Sequence, residues 1–436
     1  MGSPLDVVVD QNPPVRSIAL LSSRAEQIRH LKFMNTSWTD ITTFSDVYSG
    51  PLPLLDTLDI STFGFHDAFN QTIFPSHPFF GGAVNLKSFV LDSEETYLNR
   101  FVFPNLVTFE VSASPIGGFN VSDFLNFLKA SPTLQTVKVK AEMVSELVGN
   151  PQEIVVLPDL DTFSLLAIDG VPMYDIATFI SCPRARYTSL EYTVEDYATT
   201  PHLEMFPSPI SWNAIVHQYT KNPAGEAKLE IKHPDHCRET VGSSLTFRSS
   251  DSTTLFLCFH TPEPEEHEDV SLEETYYELF SQTYRNLQNH PQLSHIKRLH
   301  IRSRIIISES GPTLLLANQV GGLFGSLGPL DQLTLDSLDS HILIPFLDLL
   351  GSKFLSQPIV FPPIRELTIS HPSMGPIDEA EFADAIVELA KSQYERGIPF
   401  EHVTIRTRKL DTTVAERLRQ WVGVVDYFEE WQIIGE

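Results

Sequence analysis

Cysteine is scarce: the chain of 436 residues holds three, Cys182, Cys237 and Cys258. Three scattered thiols cannot form a complete disulfide framework, so an intracellular setting, cytoplasmic or nuclear, is expected. Basic residues are also few. Lys and Arg number 30 against 56 Asp and Glu, for a formal net charge of −26. A surface of that sign repels phosphate backbones and anionic lipid, which argues against nucleic acid and membrane as partners. No apolar run approaches the ~20 residues of a membrane span. The opening residues, MGSPLDVVVDQNPP, carry neither the basic region nor the apolar core of an export signal. Catalytic signatures are missing too: there is no Gly-x-Ser-x-Gly elbow, His-Glu-x-x-His pair or Cys-x-x-Cys pair. The expectation is a protein that is not an enzyme and holds no cofactor and no metal.

What the sequence does have is a recurring phrase, apolar-x-x-apolar-x-apolar. It begins at Leu55, Leu86, Leu106, Leu134, Leu160 and Tyr187, and returns at Ile296, Leu330, Ile364 and Phe400, with an atypical first copy at Ile28. The steps are 31, 20, 28, 26 and 27 residues in the first block and 34, 34 and 36 in the second. Alternating apolar positions mark half-buried strands. A Leu-x-x-Leu-x-Leu strand recurring every ~20–29 residues is the leucine-rich pattern, and longer steps leave room for a helix in each return.

Helices are predicted between phrases. Ser122 is expected to cap a helix over 123–130, with Phe124, Leu125 and Leu128 on one face. Ser271 and Glu274 make a capping box ahead of Leu272, Tyr276, Leu279, Phe280 and Leu287. Phe382, Ile386, Leu389 and Ala390 form a stripe that Gly397 ends, and Val414, Leu418, Trp421 and Val422 form another. The predicted fold is α/β, a leucine-rich-repeat-like solenoid with a curved parallel sheet and helices on the outer face. Three regions are expected. The first is a repeat block over 1–195. A divergent middle over 196–290 carries an acidic loop at 261–269 and a β-hairpin at 245–260. A second repeat block, with a helical cap, covers 291–436.

The segments PLDVVVD, LPLLDTLDI, FPNLVTFEV, FLNFLKASPTLQTVKVK, VVLPDLDTFSL and SCPRARYTSLEY together resemble the F-box and leucine-rich-repeat-like proteins of basidiomycete fungi. The resemblance covers most of the chain, best over 1–195. It implies the repeat region of such a protein without its F-box, since the segment at 4–10 resembles one that follows the F-box closely. A Skp-type adaptor is then expected to bind only if an F-box is encoded upstream. The implied function is protein–protein recognition, as in the substrate-binding part of a ubiquitin-ligase receptor. A self-associating scaffold and an enzyme with unrecognised carboxylate chemistry are the alternatives.

Two motifs invite chemistry. HPDHC (233–237) offers His233, His236 and Cys237, but no second ligand pair stands at zinc spacing, so it reads as a polar turn. GGLFGSLG (321–328) lacks the Gly-Lys-Ser/Thr ending of a phosphate loop and reads as the end of a helix. The candidate binding surface comes from strand alternation. If the apolar positions point inward, Arg298, His300, Arg302 and Arg304 of one strand, and His402, Arg406 and Arg408 of another, point outward. Two basic ladders in an acidic chain predict a partner protein with an acidic or phosphorylated segment.

Overall fold

The computed structural model describes residues 3–10, 21, 23–38, 41, 52–62, 83–93, 98–113, 120–143, 154–170, 173–193, 227–232, 240–248, 254–262, 291–302, 322–338, 340–351, 362–370, 378–407 and 412–429. The chain divides into two compact units, Met1–Tyr219 and Thr220–Glu436.

The first unit carries β1 (Leu5–Asp10), β2 (Ile28–Thr36), β3 (Thr57–Thr62), β4 (Ser88–Ser93), β5 (Thr108–Ala113), β6 (Thr136–Met143), β7 (Val155–Val156), β8 (Thr162–Gly170), β9 (Ile180–Ser181) and β10 (Tyr187–Thr193). Eight of them form a parallel sheet in the order β1-β2-β3-β4-β5-β6-β8-β10, and β7 pairs with β9. The apolar positions of each phrase face inward: Leu58, Ile60, Phe89, Leu91, Phe109, Val111, Val137, Val139, Phe163 and Leu165 are all buried. Helix α1 (Val121–Ala130) covers part of this face, setting Phe127 4.5 Å from Phe109 between ring centroids. Its cap is Asn120, whose Oδ1 accepts from the Ser122 N–H at 2.7 Å, and not Ser122 as the sequence suggested. A short helix, α2 (Met173–Thr178), lies against β8, β9 and β10.

One device aligns these strands. Ahead of β3, β4, β5, β6, β8 and β10 the carbonyls of Leu52, Ala83, Phe103, Ser131, Leu157 and Cys182 accept from the N–H three residues on, at 3.0–3.4 Å. Proline, whose φ suits the second turn position, stands there as Pro53, Pro104, Pro132, Pro158 and Pro183. The third residue reaches back to the turn before: Asn85 donates to the Pro53 carbonyl at 2.6 Å, Asn105 to Val84 at 2.8 Å, and Thr133 to Pro104 at 3.3 Å. These bonds tie the turns ahead of β4, β5 and β6 each to its predecessor and hold those strands in register.

The second unit holds β11 (Ala227–Lys232), β12 (Thr240–Arg248), β13 (Thr254–Pro262), β14 (Ile296–Arg302), β15 (Leu330–Asp336), β16 (Ile364–Ser370), β17 (His402–Thr407) and β18 (Val424–Glu429). Their order is β13-β12-β11-β14-β15-β16-β17-β18. β12 runs antiparallel to both its neighbours, so the predicted hairpin is present as β12 and β13, and the other pairings are parallel. Helices α3 (Ser340–Leu350), α4 (Asp378–Glu395) and α5 (Thr412–Leu418) pack in turn, α3 on α4 and α4 on α5. The stripe Phe382, Ile386, Leu389 and Ala390 is buried. Helix α4 ends as expected at Gly397, where φ is +77°. The Gly397 N–H bonds the Tyr394 carbonyl at 2.9 Å and the Ile398 N–H bonds that of Gln393 at 3.1 Å. This is the paired closure a left-handed glycine permits. Gly328 has a different reason: a Cβ there would stand 2.3 Å from the Ser294 carbonyl oxygen of the preceding turn. The expected helix over 271–287 and the acidic loop at 261–269 fall largely or wholly outside the described residues.

The architecture is α/β, a large parallel sheet flanked by helices. The predicted leucine-rich-repeat-like solenoid is overturned, because the sheet is open and does not curl. The physical reason lies in the returns. Curling at every step needs each return to hold the back face apart by the same excess over the ~4.8 Å strand spacing. Among the described residues, the return from β4 to β5 holds the 3-10 turn Leu98–Arg100, whereas that from β5 to β6 holds the longer helix α1. The antiparallel β12 breaks the repeat altogether.

Candidate functional site

The outward face of the second unit's sheet carries the sequence-predicted residues, and strand register orders them in rows. One row runs Arg298, Gln332, Glu366, His402, Val424; the next runs His300, Thr334, Thr368, Thr404, Asp426; the third runs Arg302, Asp336, Ser370, Arg406, Phe428. The inward neighbours Leu299, Ile301, Leu333, Leu335, Leu367, Ile369, Val403 and Ile405 are buried, which leaves the three rows on the other face. Arg302 and Arg406 are three strands apart, ~14 Å at ~4.8 Å per strand. Arg304 and Arg408 lie outside the described residues.

Register also supplies what the basic-ladder reading lacked. Asp336 stands opposite Arg302: its Oδ2 is 3.6 Å from Arg302 Nε and 3.7 Å from His300 Nε2, while Ser337 donates to its Oδ1 at 3.1 Å. Burial pushes the Asp336 carboxyl up, but His300, the Ser337 hydroxyl and the Arg302 charge together outweigh it and hold the group below the usual carboxylate value. Ser337 takes a left-handed φ of +56° to make this contact, pinned by its N–H on the Ser370 carbonyl at 2.8 Å. Asp426 meets His402 in the same manner, Oδ2 to Nε2 at 2.8 Å. Thr404 Oγ1 lies 3.4 Å from that same nitrogen. Acid and hydroxyl thus share one ring nitrogen, whereas a nucleophilic relay needs the acid on one and the hydroxyl on the other.

Arg406 differs from Arg302. It is exposed, makes no ion pair among the described residues, and sets its guanidinium 5.7 Å from the centroid of the Phe428 ring. Phe428 and Val424 are 49% and 52% exposed, large apolar side chains in water on the same strand face. These two and Asp426 were missed in the sequence because VVDYFE was not recognised as a strand. Its alternation, and the glycine before it, were the available signal: a Cβ on Gly423 would stand 2.9 Å from the Glu401 carbonyl oxygen, the same close approach as at Gly328.

Among the described residues no cluster of three or more His, Cys, Asp or Glu side chains is placed to hold a metal, and no helix is long and apolar enough to cross a membrane. HPDHC lies outside them. The stretch 322–326 of GGLFGSLG is a helical turn with Leu323 and Phe324 buried. No family model matches the chain, and no curated protein matches it. With the sheet open, the designations leucine-rich repeat, F-box-like and ubiquitin-ligase receptor lose the curled architecture on which they rested, and they are withdrawn.

Proposed function

We propose that the protein is a recognition protein, not an enzyme, and that the outward face of β14–β18 binds a partner polypeptide. One observation carries this reading. The face presents fifteen side chains in three registered rows, polar across its width, with exposed arginine, valine and phenylalanine at its β17–β18 side. Cross-strand pairs hold many of its charges in place before any partner arrives, which lowers the ordering cost of binding. Aromatic and arginine side chains together are the residues that most often anchor protein interfaces. The partner favoured by the free positive charge is acidic. The chain's own charge of −26 counts against nucleic acid. A cytoplasmic or nuclear setting suits Cys182, a buried thiol.

The test is affinity capture with the wild-type chain and with a Thr334→Tyr/Thr368→Tyr double variant. Tyrosine favours strands, so the fold is retained while the middle of the face is blocked. A partner captured by the wild type and lost with the variant supports the reading. An identical set of captured proteins refutes it, provided both chains melt alike.

A further inference from the structure

We infer that the partner segment docks at the corner formed by Arg406, Val424 and Phe428, and that it is an extended chain in which a carboxylate side chain lies beside apolar ones. This rests on the face proposed above and names the chemistry it takes. The cationic and imidazole groups at the centre and the β17–β18 side of the face meet different fates. Arg302 and His300 stand at 3.6 and 3.7 Å from Asp336, and His402 is bonded to Asp426 at 2.8 Å. Arg406 faces only the Phe428 ring among the described residues. A guanidinium stacked on an aromatic face keeps its outer N–H groups directed at solvent, where a carboxylate can take two of them side by side. Val424 and Phe428 stand at i and i+4 on β18, so an extended segment alongside meets apolar, acidic and apolar surface in turn.

The carboxylate is favoured over a phosphate by charge. A phosphoryl group carries nearly two negative charges and needs more than one cation. The neighbouring cations are already engaged, and Asp336 and Asp426 lie in the same rows. A second copy is disfavoured by register. Antiparallel pairing of two β18 strands that sets Val424 opposite Phe428 also sets Asp426 opposite Asp426, like charge directly on like charge.

The probes are two fluorescein-labelled peptides, one alternating Glu and Val, the other alternating Lys and Val, titrated by fluorescence anisotropy. The Glu/Val peptide is expected to bind the wild-type chain and the Lys/Val peptide not. Arg406→Glu is expected to weaken the Glu/Val peptide by tenfold or more, Arg406→Gln by less, and Phe428→Ala by about tenfold, roughly 1.4 kcal/mol. Absent or equal binding of the two peptides overturns the inference. Binding lost in Thr334→Tyr/Thr368→Tyr but unchanged in Arg406→Glu and Phe428→Ala overturns the corner and leaves the face intact. Binding unchanged in all of these variants overturns both. A concentration-dependent dimer in sedimentation that Phe428→Ala abolishes assigns the corner to self-association, against the inference.

Discussion

Replacing Gln393 by methionine should stabilise the second unit. Gln393 extends the buried stripe of α4 by one turn beyond Leu389 and Ala390, and it is 0% exposed. Neither its amide oxygen nor its amide nitrogen makes a hydrogen bond among the described residues. A buried polar group without a partner costs about 1–3 kcal/mol. Methionine has nearly the same length and volume and removes the amide, so little repacking strain offsets the gain. The expected stabilisation is therefore ~1–3 kcal/mol. For a unit of about 200 residues, at ~2–4 °C per kcal/mol, the melting temperature should rise by roughly 2–12 °C. Calorimetry reads the shift, and hydrogen exchange of the α4 amides assigns it to this helix. The adjacent Ser392 is the control. Its hydroxyl donates to the Gly351 carbonyl at 3.1 Å, so Ser392→Ala should destabilise by ~0.5–1.5 kcal/mol. Neighbours on one helix should thus move in opposite directions. A destabilisation of 1 kcal/mol or more in Gln393→Met would show that the amide is satisfied in solution and that the reasoning is wrong.

Other outcomes test the local arguments. Asn120→Ala should cost ~1 kcal/mol by denaturant titration, because Asn120 caps α1, while Ser122→Ala should change stability by less. Gly328→Ala should cost ~1–3 kcal/mol or more, since the new methyl must push back the Ser294 carbonyl 2.3 Å away; a neutral result would mean the two turns sit further apart. Asp336 governs part of the acid response. Its folded carboxyl titrates below its ordinary value of 3.8, so its contribution is present above that value and is lost as pH falls through the lower, folded one. Asp336→Asn should therefore flatten the decline of stability below about pH 4, and an unchanged acid limb would remove Asp336 from that role.

The recurring phrase was legible because each copy is a strand with one buried face. Leu106, Phe109 and Val111 are buried, and Thr108 and Glu110 between them are not. The prolines of the turns act locally, by fixing φ within the turn, whereas Asn85 and Asn105 bond carbonyls 32 and 21 residues back, a role that residue type alone does not announce. Gly397 was read correctly because its left-handed φ is a demand of the last helical turn alone. Asn120 was passed over for Ser122 because either side chain can cap and residue type does not choose between them; the structure gives Asn120 the extended backbone of a cap, φ −68° and ψ 128°. The strand β18 was missed since its partner, β17, lies across α5 in the chain, and a short alternation gains meaning only beside a neighbour.

Composition, alternation and turn chemistry determined by themselves that the chain is acidic, that its phrases are strands with one apolar face, and which side chains stand outward. These are consequences of backbone period and of residue type, and they need no knowledge of distant contacts. Tertiary structure alone decided that the sheet stays open, because curling depends on the relative bulk of returns that differ from strand to strand. It alone decided that β12 runs antiparallel to its neighbours. It alone decided which cations are offset, by setting Asp336 opposite Arg302 and Asp426 beside His402 while leaving Arg406 against Phe428. Charge on a strand is written in the residues, but its neutralisation is a matter of which strand lies alongside and in what register.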